Sequence, residues 1–131
     1  MNNIKTPVDD DRFAKEIGAK LTKVDVGYAK AEMTVTERHL NGLGMGHGGA
    51  IFTVGDLAFA AACNSHGIPA VAVTINISYF KAVEAGMHLI AEAREVSLSR
   101  KLGTYSITVS NAAGDQIAAM QGTAFRKTPR K

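Results

Sequence analysis

The sequence has one cysteine, no tryptophan and only three prolines among 131 residues. A lone Cys63 excludes an internal disulfide, so burial of apolar surface has to hold the fold, and such cysteine usage fits a reducing compartment. Its Ala-rich apolar surroundings make Cys63 a core residue. Long apolar runs are missing too. No segment reaches the roughly 18 to 20 apolar residues of a membrane span, and the opening MNNIKTPVDDDR lacks the apolar stretch of a signal peptide, so a cytoplasmic protein with no membrane partner is expected. His39, His47, His66 and His88 show no metal-ligand spacing and no Cys or carboxylate companions, and neither a metal nor another cofactor is expected. The GxSxG elbow and the P-loop lysine pattern are absent as well. The net charge of +3 owes much to the tail residues Arg126, Lys127, Arg130 and Lys131. No aromatics interleave these charges to stack on bases, which speaks against nucleic acid as a partner.

What is present is the composition of a globular domain, 46% hydrophobic and 21% charged. The length suits one domain over 1–131, with 1–8 and 127–131 expected as loose termini. Asp9, Asp10 and Asp11 offer an N-cap and first-turn charge, Phe13 and Ile17 are spaced i to i+4, and Gly18 can close a short amphipathic helix. Ala29, Ala31, Met33 and Val35 alternate with Lys30, Glu32, Thr34 and Thr36, the period of a strand with one dry face, and Gly27 marks a turn before it. The segment 41–49, NGLGMGHGG, carries five glycines and reads as a loop. The run 50–63, AIFTVGDLAFAAAC, is apolar on nearly every side of a helical wheel, which predicts a helix buried all round. Strands follow at 70–80, 88–98, 104–111 and 116–126, with NAAGDQ at 111–116 as a hairpin turn. Consecutive strands with short connections predict an antiparallel sheet, and one long helix wrapped by it is an α+β arrangement.

Asp56 stands in the middle of the most apolar helix of the chain. Burying an unpaired carboxylate is expensive and raises its pKa or recruits a partner, which marks Asp56 as a base or nucleophile in a cleft. Gly49, Thr53, Asp56 and Ala60 share one helix face, where small neighbours leave room for a ligand. His47-Gly48-Gly49 opens that helix, and free backbone N–H groups with the helix dipole can stabilise a carbonyl oxygen gaining negative charge there. Gly44 to Gly49 also matches GxGxxG in form. No apolar strand leads into it, and no Asp or Glu occurs between Asp56 and Glu84, so a dinucleotide site is rejected.

Asn41, the loop to His47-Gly48-Gly49, Asp56 on the helix behind it, then VAVTINISYF and Gly86, resemble the phenylacetic-acid-degradation (PaaI-like) group of hotdog thioesterases. The resemblance runs from about residue 20 to 126 and rests on N-x5-HGG-x6-D followed by a polar-alternating strand. It implies an α+β hotdog fold, a curved antiparallel sheet around the helix, and homodimers often paired into tetramers. It also implies metal-free hydrolysis of acyl-CoA thioesters. Carried over, Asp56 is the catalytic carboxylate, Gly48 gives the polarising N–H, and Asn41 and His47 orient the thioester and water. Gly49, Thr74, Phe80 and Lys81 are the expected substrate contacts, while Arg100 and Lys101 beside Gly103 are candidates for the coenzyme A phosphates. Two departures bear on the substrate: Lys81-Ala82 replaces the Arg-Pro of many relatives, and a strand serine becomes Ala72 unless Thr74 serves instead. A hotdog module that binds acyl-CoA or a small aromatic ligand without turnover is the rival reading. Gly48 and Asp56 are eight residues apart, about 12 Å along one helix. One thioester cannot touch both in one chain, so each active site is expected to be built from two chains.

Overall fold

The computed structural model describes residues 3–128. Helix α1 (Arg12–Ile17) starts where the Asp11 side chain accepts from Ala14 N–H and stops at Gly18, whose φ of 82° is open to glycine at no steric cost. Helix α2 (Gly48–Cys63) follows two strands, β1 (Lys20–Asp25) and β2 (Tyr28–Thr34), and precedes β3 (Ala70–Tyr79), β4 (His88–Leu98), β5 (Leu102–Asn111) and β6 (Gln116–Arg126). The strands form one six-stranded sheet in the order β1-β2-β4-β5-β6-β3, with every neighbouring pair antiparallel. Alternation sets the inner face: Ala29, Ala31 and Met33 of β2, Leu89, Ala91 and Ala93 of β4, and Tyr105, Ile107 and Val109 of β5 are all buried. Small residues dominate it, so α2 can lie close to the sheet. Phe59 of α2 meets Tyr105 edge-on with ring centroids 5.7 Å apart, and Cys63 is buried as expected. Among the described residues no helix is long and apolar enough to cross a membrane.

Four expectations need correction. Strand β1 is not anticipated, because KLTKVD is polar, its register slips between Leu21 and Lys23, and only Val24 is fully buried. Helix α2 begins at Gly48 instead of Ala50, since His47 caps it and the two glycines form its first turn. It is not buried all round: Phe52, Thr53, Asp56 and Ala60 are half-buried and Gly49 is exposed, a stripe turned away from the sheet. Residues 3–8 are not loose, for Ile4 N–H donates to Val24 O at 3.1 Å, Val24 N–H donates to Asn3 Oδ1 at 3.2 Å, and the Thr6 hydroxyl caps a 3-10 turn at Pro7–Asp10. Of the expected loose end, Lys127 N–H donates to Pro69 O at 2.8 Å. Residues 129–131 lie outside the described residues.

Gly55 of α2 and Gly122 of β6 permit the close helix-on-sheet approach. A Cβ on Gly55 would collide with Met120 Sδ, and one on Gly122 would sit 2.8 to 3.1 Å from three ring atoms of Phe59. Met120 is flexible, whereas Phe59 is locked in the core at 1% exposure. Gly122→Ala is therefore expected to destabilise the fold by about 1–3 kcal/mol through overpacking, read as a lower urea midpoint with an unchanged slope. An unchanged midpoint would mean that α2 has room to move off the sheet.

Candidate active site

The glycine-rich segment is an ordered loop closed on itself. Asn41 Oδ1 accepts from Leu43 N–H at 2.9 Å and from Met45 N–H at 3.1 Å, while Asn41 N–H donates to Met45 O at 2.7 Å. Its next residue is anchored too: His47 N–H donates to His39 O at 2.6 Å. The first turn of an α-helix leaves N–H groups without helical partners, and here most are satisfied. Gly49 N–H donates to His47 Nδ1 at 2.8 Å, which places the proton of a neutral His47 ring on Nε2. Ala50 and Ile51 N–H both donate to His47 O, at 3.0 and 3.3 Å. Among the described residues Gly48 N–H has no acceptor. Two donors on the His47 carbonyl polarise the peptide unit to which this free N–H belongs, and the helix dipole adds positive potential.

Asp56 lies two turns further along. Its carboxylate makes no hydrogen bond or ion pair among the described residues, and Thr53 offers none, because its hydroxyl donates to Gly49 O at 2.7 Å. Burial raises the Asp56 pKa, and the nearby charge of Asp11 raises it further. The side chain opens into a cavity of about 680 Å³ between α1 and the stripe of α2, lined among others by Asp11, Phe13, His47, Gly49, Phe52 and Thr53.

Gly48 faces a different cavity. That space, of about 290 Å³, is lined by Asn41, Gly48, Ile51, Tyr79, Phe80 and Lys81 among others. The Tyr79 hydroxyl reaches across from the end of β3 and donates to Gly48 O at 2.9 Å. A Cβ on Gly48 would lie 3.1 Å from the Tyr79 ring, and one on Gly49 would lie 3.0 Å from His47 Nδ1, so both positions are kept small by neighbours. Lys81 Nζ stands 3.6 Å from Asp115 Oδ1 at the rim. Gly48 and Asp56 of one chain thus line two separate cavities. Among the described residues no cluster of three or more His, Cys, Asp or Glu side chains is placed to hold a metal.

The family model of the thioesterase superfamily matches residues 43–118, which include both cavities' key groups. The chain belongs to the thioesterase superfamily. This thioesterase is 44% identical to a putative esterase of Archaeoglobus fulgidus over 89% of its own length and 76% of the relative's. It is 36% identical to the acyl-coenzyme A thioesterase PaaI of Escherichia coli over 95% of its length and 89% of that protein's. The solved structure of that PaaI protein, from the phenylacetic acid degradation operon, superposes with a TM-score of 0.88 over 91% of this chain and 86% of the other. A Streptococcus mutans protein solved bound to acetyl-CoA is 28% identical, with a TM-score of 0.81 over 87% of this chain and 92% of the other. The fold is the hotdog fold, and the chain is a thioester hydrolase.

Of the residues expected in the site of this thioesterase, His47, Gly49 and Asp56 line one cavity, and Asn41, Gly48, Phe80 and Lys81 line the other. Three expected contacts lie elsewhere in the single chain. Thr74 pairs with Thr123, whose neighbours Gly122 and Ala124 are buried, so Thr74 sits on the outer face of the sheet. Arg100 and Lys101 form the β4–β5 hairpin at the far end of the sheet: Leu102 pairs with Phe125, whereas Val109 pairs with Ala118, the partner of Tyr79. The seven steps along β5 from Leu102 to Val109 span roughly 23 Å. A third cavity, of about 300 Å³ beneath the N-terminal segment, holds none of the expected site residues. Sequence reasoning missed two groups that the fold brings in. Asp11 read only as a helix cap, and Tyr79 carried a signal in the inward alternation of Ile75, Ile77 and Tyr79 along β3.

Proposed function

We propose that this thioesterase hydrolyses an aryl- or medium-chain acyl-CoA to the free acid and CoA. The observation that carries the reading is the pairing, on one helix, of an unpartnered N–H at Gly48 with an unpartnered carboxylate at Asp56, whose pKa burial raises. In the proposed reaction the thioester carbonyl accepts from Gly48 N–H, which withdraws electron density from its carbon. Asp56 then takes one of two roles. As general base it accepts a proton from water while the water oxygen bonds to the carbonyl carbon; the C–S bond breaks, and the thiolate of CoA leaves and is protonated. As nucleophile its own oxygen bonds to that carbon, expelling the thiolate and leaving a mixed anhydride that water hydrolyses. Single turnover in heavy-oxygen water separates them, since label enters Asp56 only on the second route. His47 Nε2–H and Asn41 Nδ2 are donors left over for the substrate and water. The basic test is thiol release from benzoyl-CoA and hexanoyl-CoA. Turnover of neither above background, with a rise in melting temperature on adding both, would favour a binding module.

Each site is proposed to join two chains, because Gly48 and Asp56 of one chain face separate cavities. Strand β3 supports this reading. It is an edge strand of ten residues with Val71 and Val73 46% and 57% exposed, an open template for a second copy. Antiparallel pairing of two such edges about a twofold axis sets the Ala70 end of one chain beside the Tyr79 end of its partner. The hairpin carrying Arg100 and Lys101 then comes from the partner toward the Gly48 cavity, where it can hold the CoA phosphates. Replacing both with Ala is expected to raise KM for acyl-CoA about tenfold, with kcat and the hydrolysis of small CoA-free thioesters unchanged. Equal effects on both substrates would assign the hairpin a structural role.

A further inference from the structure

We propose that the Tyr79 hydroxyl is a second donor to the thioester oxygen in the transition state, acting beside Gly48 N–H. The proposal rests on the thioester-hydrolase reading with Gly48 as the polarising group. An oxyanion has lone pairs for more than one hydrogen bond, and a single backbone N–H satisfies only one of them. Besides Asn41, which lines the same cavity, the fold brings the Tyr79 hydroxyl to that spot. Ile75, Ile77 and Tyr79 of β3 pair with Gly122, Met120 and Ala118, all on the helix side of the sheet, so the last inward residue of the strand arrives at the first turn of α2. There the phenol oxygen donates to Gly48 O at 2.9 Å.

The two donors are close enough to share one acceptor. A Cβ on Gly48 would lie 3.1 Å from Tyr79 Oη, and standard covalent geometry puts that Cβ about 2.5 Å from Gly48 N. Oη and the amide nitrogen are therefore no more than about 5.6 Å apart. An oxygen accepting from each at about 2.7–3.1 Å bridges such a gap. Rotation about the phenol C–O bond re-aims the proton from Gly48 O to the substrate. Gly48 O is not orphaned by this, because as the first carbonyl of α2 it also belongs to the helical ladder. Both donors line the same cavity, and Tyr79 is 49% exposed, so a substrate can reach it. Burial of part of the ring raises the phenol pKa above its ordinary value, which keeps it a donor at neutral pH.

Tyr79→Phe tests the proposal because it keeps the ring against Gly48 and removes the hydroxyl alone. With benzoyl-CoA and hexanoyl-CoA as probes, kcat is expected to fall on the order of 10²-fold. KM should stay within about threefold and the melting temperature should not move, as expected for a contact made only in the transition state. A kcat within about twofold of the parent would overturn the assignment. So would a loss of kcat that tracks a lower melting temperature, since the hydroxyl would then serve only to hold Gly48 in place. Failure of the underlying reading is seen separately, as absence of thiol release by the unmodified protein.

Discussion

Asp56→Asn is expected to lower kcat by on the order of 10²–10⁴-fold while leaving the protein folded. The amide can neither attack the thioester nor take a proton from water, and it keeps the size and shape of the carboxylate. A merely structural Asp56 would give the opposite pattern, with activity kept and stability lost. The stability effect has a definite sign. Burial and Asp11 raise the folded-state pKa of Asp56 above its unfolded value, so the folded chain binds that proton more tightly. Its stabilising effect is complete below the ordinary aspartate pKa of about 3.9 and is lost as pH rises through the higher folded-state value. Above that folded-state value the ionised, half-buried carboxylate therefore works against folding, and Asp56→Asn should melt higher than the parent there. Near pH 3 the difference should vanish. The same shift predicts an acid limb in kcat/KM of the parent protein with an apparent pKa above that of a free aspartate, because only the ionised form is a base or nucleophile. A variant retaining near-normal kcat would remove Asp56 from the chemistry.

Mixing two inactive variants should restore activity if each site joins two chains. Asp56→Ala removes the carboxylate, and Asn41→Asp removes the Nδ2 donor beside Gly48 while keeping the oxygen that holds Leu43 and Met45 N–H. In a mixed dimer one composite site collects both defects and the other has neither. Random exchange of equal amounts makes half of the dimers mixed, each with one intact site of two, so recovery to about a quarter of the parent rate is expected. Variants mixed under conditions that block exchange supply the baseline. Verified mixed dimers as inactive as their parents would rule out the shared site and return Gly48 or Asp56 to a single-chain role.

The legible features were those encoded in short stretches of chain. Asp56 stood out because a carboxylate among Ala, Val, Leu and Phe has no cheap structural excuse, and its place on one face with Gly49, Thr53 and Ala60 follows from helical spacing. That face is the stripe left uncovered by the sheet. The start of α2 was harder to place. Two glycines speak for a loop by propensity, and the cap that draws them into the helix depends on the His47 ring orientation and the His39 carbonyl. Strand β1 was illegible because an edge strand with one buried side chain carries almost no period-two signal. The ties of residues 3–8 to Val24 were equally hidden, since backbone and Asn3 hydrogen bonds leave no apolar pattern.

By itself the sequence determined the order of elements apart from β1, the small-residue inner face that lets a long helix nest against a sheet, and an eight-residue gap between a helix-opening glycine and a carboxylate. These are properties of spacing and side-chain volume, which hold in any context that lets the segments fold. Only the tertiary structure decided that Gly48 and Asp56 look into different cavities and that α1 walls the carboxylate's cavity with Asp11 and Phe13. It alone brought the Tyr79 hydroxyl, 31 residues away in sequence, to the carbonyl of Gly48. The physical reason is that each of these depends on which strand lies beside which. Here β3 pairs with β6 at the sheet's edge, a choice that no local propensity encodes.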